Sequence, residues 1–295
     1  MKDVIIEIIK IAAALSVALI VFSQGLGIAP SQVGAYFRQR PWLLLRSLIA
    51  ALVLVPIVAL ALIFLLKPPL PVAIGLAILV SCPPAPLMIS ATPKLGKGSA
   101  PFMASLHLCM AALAIVTVPA VLDLISIPLG FQAIVDLPTM TWILARTIVI
   151  PLLLGIAVRG FLPSFADQRA RAFALAGTIG LALVVVIATV ALFPDMLKMD
   201  PKSYLVIAVI GAASLVIGDL LGPADRNEKT TLAVECGVRH PVLALTIGVE
   251  SFSKAQALPV LVPCVLTFIL VAMIYLVIRG RMTPTARPAA TPTAS

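Results

Sequence analysis

Long apolar stretches alternate with short polar ones along the whole chain. Nine of the apolar stretches approach or exceed the roughly 20 residues that a membrane-spanning helix requires. The pattern therefore predicts an all-α polytopic membrane protein with nine transmembrane segments. These segments cover residues 11–29, 43–66, 71–93, 99–122, 139–158, 172–194, 204–222, 230–250 and 257–278.

The third and the eighth of these segments contain residues that interrupt a helix. The third holds Pro83, Pro84 and Pro86, and the eighth holds Gly237 and Pro241. Because proline lacks an amide hydrogen and its ring clashes with the preceding turn, both helices are expected to break. Broken helices at membrane depth occur where they are buried in protein or line a cavity. The two breaks are therefore the first candidates for a binding site.

The positions of the two breaks indicate an inverted repeat. The broken segments are five apart in the chain, an odd number, so they cross the membrane in opposite directions. Segments 1–4 and 6–9 pair in the same way, and the fifth segment is left without a partner. Discontinuous helices at matching positions of two inverted halves point to the substrate site of a secondary transporter.

Composition agrees with a membrane protein and excludes several other classes. Hydrophobic residues make up 61% of the chain and charged residues 11%, with a mean hydropathy of +1.17, whereas about a quarter of a soluble domain is charged. The net charge of +9 does not indicate nucleic acid, because the basic residues lie in short loops between apolar runs. The sequence has no Gly-rich phosphate loop and no metal-ligand spacing, so we expect neither enzyme activity nor a cofactor.

The distribution of basic residues between the loops predicts the orientation. Twelve basic residues fall on one side and six on the other, and the positive-inside rule assigns the larger set to the cytoplasm. We therefore expect an external N-terminus, a cytoplasmic C-terminus and, from composition, a disordered cytoplasmic tail at residues 279–295. The larger set is Arg38, Arg40, Lys94, Lys97, Arg159, Arg169, Arg171, Arg226, Lys229, Arg279, Arg281 and Arg287; the smaller is Lys2, Lys10, Lys67, Lys198, Lys202 and Lys254.

Glu235, Arg239 and His240 stand around the break in the eighth segment. A charge at mid-membrane costs roughly 2.5–3.5 kcal/mol on insertion scales, so such residues usually face a cavity or each other. Glu235 and Arg239 are four residues apart with the acid first, the favoured order for a helical ion pair. They either neutralise each other structurally or form a switchable pair beside a substrate. His240 and His107 are either hydrogen-bonded structural residues or proton carriers.

The break in the third segment offers backbone groups as well as side chains. Near Pro84 and Ala85, freed carbonyls and amides need partners, which an ion or a substrate could supply. The alternative is a proline kink packed against a neighbouring helix. Ser90 and Thr92 follow the break, and their hydroxyls either bind a ligand or bond back to their own helix. Arg146, near the middle of the fifth segment, either pairs with an acid or faces water.

The residues around both breaks resemble the bile acid:sodium symporter family. Thr-Thr-Leu-Ala-Val-Glu-Cys-Gly at 230–237, followed by Leu-Ala-Leu at 243–245, is similar to the family's second crossing helix. Asp-Arg at 225–226 precedes it as in the family. Ser-Cys-Pro at 81–83 and Lys-Leu-Gly-Lys-Gly-Ser at 94–99 resemble the first crossing helix and the residues that follow it.

The resemblance implies a core domain built around two crossing helices and a panel domain that rocks against it. Some members of the family lack the first helix, which would account for the partnerless fifth segment. By position, the core-like residues are 43–122 and 204–278, and the panel-like residues are 11–29, 139–158 and 172–194.

The resemblance also implies two sodium ions held with the help of a glutamate, a glutamine and a Ser-Asn pair. Glu235 matches the glutamate and is the candidate sodium ligand. Arg239 stands where the glutamine would be and His240 where the asparagine would be, and arginine has no acceptor atom with which to bind an ion. The family's Ser-Asn pair falls on residues 88–89 or 89–90. The face of the next helix that is Ser/Thr-rich in the family contains Ser105 and His107 here. We therefore expect the fold to be kept and the sodium sites to be altered.

These observations predict a secondary active transporter of organic anions or similar small organic solutes that works by alternating access. The alternatives are a proton-coupled or uncoupled transporter of the same fold, and a non-transporting membrane sensor or intramembrane enzyme. We expect the protein to lie in a lipid bilayer, the inner membrane of a bacterium. The identity of the solute and the oligomeric state stay open. The substrate-binding candidates are Arg239, His240, Pro84, Ala85 and Ser90. The ion-coupling candidates are Glu235, Ser90, Thr92, Ser105 and His107.

Overall fold

The computed structural model of the protein describes residues 2–27, 35–85, 88–96, 98–131, 137–251 and 254–282. Over these residues the chain is helical, with one isolated antiparallel β-bridge and no strand. The helices of the first half are α1 (Lys2–Gly27), α2 (Ala35–Arg38), α3 (Pro41–Ile49), α4 (Val55–Leu66), α5 (Leu70–Ser81), α6 (Met88–Leu95) and α7 (Ala100–Leu129). Those of the second half are α8 (Leu137–Leu144), α9 (Ile150–Phe161), α10 (Pro163–Met196), α11 (Pro201–Leu221), α12 (Arg226–Gly237), α13 (Pro241–Ser251) and α14 (Lys254–Met282).

Proline stands at the start of many of these helices. Pro41, Pro101, Pro163, Pro201 and Pro241 each occupy the first or second helical position. The first amides of a helix have no intrahelical partner, so the missing hydrogen of proline costs nothing there, and its fixed φ already suits the helix. Proline therefore suits the start of these helices, although Pro119, Pro194 and Pro263 lie inside continuous helices without ending them.

Two pairs of helices are joined by a π turn, in which amides bond to carbonyls five residues earlier. Ala50–Leu54 joins α3 to α4, and Ala145–Val149 joins α8 to α9, so each pair forms one continuous helix. A proline follows each turn, Pro56 in α4 and Pro151 in α9. Because these prolines have no amide hydrogen, a carbonyl of the preceding turn is left without its helical donor.

Five helices of the described chain are long and apolar enough to cross a membrane. Apolar side chains also cover the outside of the bundle; Leu65 and Val190, for example, are 74% and 71% exposed. A helical bundle that is apolar both inside and outside fits a lipid environment. The protein is an all-helical integral membrane protein, and the count of nine segments remains a prediction. The five helices are Pro41–Leu66, Pro101–Leu129, Pro163–Met196, Pro201–Leu221 and Pro259–Met282.

The helices differ in the neighbours against which they chiefly pack. α1 packs chiefly against α9 and α10, whereas α11 packs against α12, α14 and α4, and α5 against α14 and α7. Gly25 of α1 and Gly155 of α9 face each other, and a Cβ on either would collide with the backbone of the opposite helix. Glycine at both positions therefore permits the close approach of these helices. The predicted division into panel and core domains is taken up below as a proposal.

The ends of α11, α12 and α14 meet near the start of α3 on one side of the bundle. Arg40 Nη1 donates to both carboxylate oxygens of Glu228, at 2.8 and 3.1 Å. Asp219 pairs with Arg279 and accepts a hydrogen bond of 2.8 Å from the Tyr275 hydroxyl. We call this group the charged end; it consists of Arg40, Asp219, Glu228, Lys229 and Arg279.

The C-terminal helix is longer than the sequence predicted. α14 continues to Met282, so residues 279–282 are helical, although we expected a disordered tail from residue 279. The ion pair between Arg279 and Asp219 holds this last turn, and a cation there is also favoured by the helix dipole. The rest of the predicted tail, 283–295, lies outside the described residues.

Candidate functional site

The first break separates α5 from α6. The chain leaves α5 after Ser81 and is extended through residues 82–85. Pro83 and Pro84 have no amide hydrogens with which to continue the helical ladder, so the break falls at these residues. Pro86 lies outside the described residues. The backbone groups beside the two prolines must therefore find partners beyond their own helix.

The second break separates α12 from α13. α12 ends at Gly237, residues 238–240 are extended, and α13 begins at Pro241. Pro241 cannot continue the hydrogen-bond ladder of α12, but it is well suited to the first position of a new helix. Gly237 lies so close to α11 that a Cβ would collide with the Leu215 side chain. This glycine thus lets the end of α12 pack against α11.

The two extended stretches lie against each other as an antiparallel pair. The Ala85 amide donates to the Val238 carbonyl at 3.0 Å, and the His240 amide donates to the Pro83 carbonyl at 2.8 Å. Backbone groups that one break leaves free are thereby satisfied by the other. The structure thus brings together the two breaks that the sequence placed at matching positions. We call residues 82–85 and 238–240, all of which are buried, the crossing.

Arg239 is enclosed at the crossing, with only 2% of its surface exposed. Its Nη1 donates to the Cys82 carbonyl at 3.3 Å and its Nη2 to the Ala51 carbonyl at 3.0 Å. The Ala51 carbonyl is available because the Val55 amide bonds to the carbonyl five residues earlier and Pro56 has no amide hydrogen. Arg239 therefore ties both breaks to the π turn between α3 and α4.

This geometry corrects the predicted helical ion pair between Arg239 and Glu235. An i, i+4 pair requires one continuous helix, but α12 ends at Gly237, between the two residues. Within the described part of the chain they form no ion pair, although their opposite charges still attract through space. Both terminal nitrogens of Arg239 are engaged by carbonyls, and its Nε is buried without a partner among the described residues, so in this conformation the guanidinium is closed off from a solute.

Glu235 is 1% exposed, and neither of its carboxylate oxygens has a hydrogen-bond partner among the described residues. His107 of α7 lies beside it, with Nδ1 3.5 Å from Oε1. That nitrogen also lacks a hydrogen-bond partner. Because a buried carboxylate without partners is unfavourable, this pocket of two unsatisfied groups favours a bound cation, a proton or a donor from a ligand.

His240 caps the start of α13. Its Nδ1 accepts a hydrogen bond of 3.1 Å from the Leu243 amide, which satisfies one of the free amides of the first turn. In the neutral ring the hydrogen is then on Nε2, which is buried without a partner in the described structure. The interpretation of His240 as a hydrogen-bonded structural residue agrees with this geometry.

The remaining candidate residues are distributed around the crossing. Pro84 and Ala85 belong to it and are buried. Thr92 of α6 is fully buried, and its hydroxyl has no partner among the described residues. Ser105 is half-buried on α7, the helix that also carries His107. The side chain of Ser90 lies outside the described residues. In this conformation, the described members of the predicted substrate-binding set are therefore buried.

Sequence reasoning missed two groups that fix the crossing in place. The Ala51 carbonyl anchors Arg239, and the only signal for it was a proline five residues later in an apolar helix. Thr231 of α12 accepts a hydrogen bond of 2.9 Å from the Ser99 amide at the start of α7. This bond links α12 to the helix that carries His107.

The chain matches the sodium bile acid symporter family over residues 14–194, more than half of its 295 residues. It therefore belongs to this family, whose members are transporters. No curated protein matched the chain. The matched stretch includes the first break and His107 but ends before the second break. Glu235 and Arg239 thus lie outside the matched part.

Proposed function

We propose that this member of the sodium bile acid symporter family carries small organic solutes by alternating access, and that Arg239 replaces the sodium ion as the positive charge at the crossing. The observation that carries the proposal is the position of the guanidinium, which bonds to the Cys82 and Ala51 carbonyls. Carbonyl oxygens are also groups that a hard cation such as sodium binds. The crossing is therefore held together by a cation that cannot dissociate.

Charge balance supports a loss of sodium binding. Glu235 would be a buried negative charge without a nearby cation, and burial of an unpaired carboxylate is costly. Arg239 supplies the opposite charge permanently, since arginine stays protonated in proteins. A sodium ion within about 5 Å of the guanidinium would be repelled by about 3 kcal/mol at an effective dielectric constant of about 20. We therefore propose that transport does not require sodium.

Helix ends support an anionic or strongly polar solute. α6 and α13 both begin beside the crossing, and the N-terminal end of a helix carries roughly half a positive charge. In broken-helix transporters such ends face the anionic group of the substrate. One of the two, the start of α13, is already capped by His240, which leaves the α6 end as the better candidate for solute contact.

Packing supports a panel made of α1, α9 and α10 and a core made of the crossing helices and their neighbours. The panel helices touch one another chiefly, and Gly25 and Gly155 allow their close approach. A tightly packed unit is suited to move as one body. We also propose that the charged end faces the cytoplasm, because Arg40, Lys229 and Arg279 belong to the larger set of loop charges and lie together there.

Proton coupling is a second candidate mechanism, favoured by one observation. His107 and Glu235 face each other at 3.5 Å, both buried and both unsatisfied in the described structure. A single proton between them would turn two facing acceptors into a hydrogen bond. The proton would then be the coupling ion of the transporter, in a pocket from which Arg239 repels sodium.

The test begins with thermal unfolding of the purified protein in a panel of organic anions, since a ligand stabilises by RT ln(1 + [L]/Kd). Uptake of the best ligand into vesicles is then measured in sodium and in choline medium at fixed pH. Equal uptake in both media supports the proposal. A strong loss of uptake in choline would show that sodium still couples transport, and no uptake in either medium would refute the transport function itself.

A further inference from the structure

The crossing has no cation free to meet an anionic solute. Arg239 is buried, and both terminal nitrogens of its guanidinium donate to backbone carbonyls. The negative group of a solute nevertheless needs a counter-charge on its way through a low-dielectric bundle. Besides the partial charge of the α6 end, a basic side chain at membrane depth would supply that counter-charge in full.

Arg146 has the properties that such a residue needs. It lies in the π turn Ala145–Val149, where its side chain is exposed while the neighbouring Thr147 and Ile148 are buried. Among the described residues, Arg146 has no ion pair or hydrogen bond. Its guanidinium thus keeps its donors for a partner that is not part of the described chain.

The position of Arg146 along its helix places it deep in the bilayer. It lies about 13 Å from Leu137 and about 22 Å from Phe161 along the axis, at about 1.5 Å per residue. The hydrocarbon core is about 30 Å thick, so neither end of the helix is close. Because an arginine facing lipid at that depth is costly, such residues turn to a water-filled cavity.

The neighbours of the π turn indicate which cavity this is. The turn packs against α1 and α7, and α8 packs against α7 and α13. α7 carries His107, and α13 begins at the crossing. Arg146 is therefore on a continuous helix that contacts α1, a proposed panel helix, as well as two helices that surround the crossing. Alternating access requires water between these same two groups of helices.

We propose that Arg146 faces the aqueous path between panel and core and binds the anionic group of the solute. A guanidinium binds a carboxylate or sulfonate through two parallel hydrogen bonds, so the residue would select planar or tetrahedral oxyanions over neutral solutes. The π turn is suited to this role, since such turns are frequent at functional sites. The inference rests on the proposed transport of organic anions and names the residue that recognises their charge.

The experiment measures water access and local charge with thiol reagents and needs no knowledge of the solute. Ile150 is one turn further along the same face and is 43% exposed. Ile150→Cys is made in a Cys109→Ser background, because the other cysteines are buried. The reconstituted protein is treated with one of two methanethiosulfonate reagents. The first carries a negatively charged sulfonate, and the second carries a positively charged trimethylammonium group. Each rate is divided by the rate of the same reagent with free cysteine.

The expected result is that both reagents reach the introduced thiol and that the anionic one is favoured. In this background Arg146→Gln should lower the anion-to-cation rate ratio about tenfold, since a full charge is removed roughly one helical turn away. Arg146→Lys, which keeps the charge, should retain most of the ratio. A thiol that is inert to both reagents would place this face in lipid, and a ratio unchanged by Arg146→Gln would exclude a local field; either result would overturn the proposal.

These outcomes are separate from those that test the proposed function. A sodium requirement in the uptake experiment would refute the role of Arg239 and would leave the thiol ratios unaffected. Conversely, an inert thiol next to Arg146 would remove this residue from the solute path without bearing on sodium. The variants are compared by gel filtration, so that misfolded protein is not scored.

Discussion

Glu235, in α12 beside the crossing, and Asp219, in the charged end, are both acids near an arginine, but their surroundings are opposite. Asp219 is 26% exposed at its side chain and bonds to Arg279 and Tyr275. Glu235 is buried and has no hydrogen-bond partner in the described structure, while the nearby Arg239 bonds to backbone carbonyls instead. One region satisfies its carboxylate, and the other leaves it unsatisfied.

The charged end contributes to stability, whereas the unsatisfied Glu235 points to function. A satisfied, partly exposed network stabilises the fold modestly, because solvent screens it. A buried carboxylate without partners lowers stability, so it is expected where function requires it, as local rules are most often violated at functional sites. Neutralising an acid in the charged end should therefore lower stability, whereas neutralising Glu235 should chiefly affect transport.

Removing Arg239 should produce the largest loss of stability. Arg239→Met keeps the length of the side chain but leaves the Cys82 and Ala51 carbonyls unpaired and Glu235 without a counter-charge. We expect a loss of about 3–5 kcal/mol in the free energy of unfolding. Arg239→Lys, which keeps the charge but not the fork, should lose about half as much. Denaturant unfolding in mild detergent measures both; a methionine variant as stable as the wild type would contradict the account.

Removing the carboxylate of the charged end should have an intermediate effect. Asp219→Asn weakens the bonds to Arg279 and Tyr275, and we expect a loss of about 1–2 kcal/mol after allowing for partial exposure. Asp195→Asn is the matched control, because within the described residues the ion-pair partner of Asp195 is Lys198, at an exposed position, and this variant should lose almost nothing. Equal losses in the two variants would show that the charged end is not a stabilising network.

Neutralising Glu235 should change stability least and function most. Glu235→Gln relieves the burial of a charge whose oxygens bond to nothing in the described chain, so the free energy of unfolding should stay within about 0.5 kcal/mol. Solute uptake should fall at least about tenfold if the pocket beside His107 takes part in coupling. The control is Glu228→Gln on the same helix, where Arg40 holds the acid. There we expect a loss of stability of about 1 kcal/mol with uptake retained.

The orientation of the protein in the membrane can be checked with variants that are not expected to change its stability. If the charged end faces the cytoplasm, an epitope added after Ser295 should be protected in intact cells and exposed after permeabilisation. A thiol introduced at Lys198, at the opposite end by the loop charges, should react with an impermeant reagent in intact cells. The reverse pattern would invert the proposed topology.

Proline and glycine account for what the sequence predicted well. Pro83, Pro84 and Pro241 cannot donate the hydrogen bonds of a continuing helix, and the two clusters of helix-breaking residues marked both breaks. The meeting of the two breaks was accessible from the order of the segments. The partners of Arg239 were not accessible. They depend on which carbonyl Pro56 frees in a helix nearly two hundred residues away, and on the turn of the backbone after Gly237. The predicted i, i+4 pair of Glu235 and Arg239 was misleading for the same reason. The prediction required a continuous helix, and the helix ends at Gly237.

His107 shows a second limit of sequence reasoning. It was a candidate as one of two histidines in an apolar chain, but its distance of 3.5 Å from Glu235 comes from the packing of α7 against α12. That packing includes the Ser99–Thr231 contact, about one helical turn before Glu235 and two before His107. Tertiary contacts of this kind leave no periodic pattern in the sequence.

Whether the purified protein binds sodium decides whether Arg239 has replaced the ion. Thermal unfolding is followed as sodium chloride replaces choline chloride at constant ionic strength and pH, for the wild type and for Arg239→Gln, which restores the residue type expected in the family. A sodium site would add about 1.4 kcal/mol once sodium exceeds its Kd tenfold. We predict no sodium-specific stabilisation of the wild type and a measurable one in Arg239→Gln. A saturable stabilisation of the wild type by sodium would contradict the claim that Arg239 has taken the place of the ion.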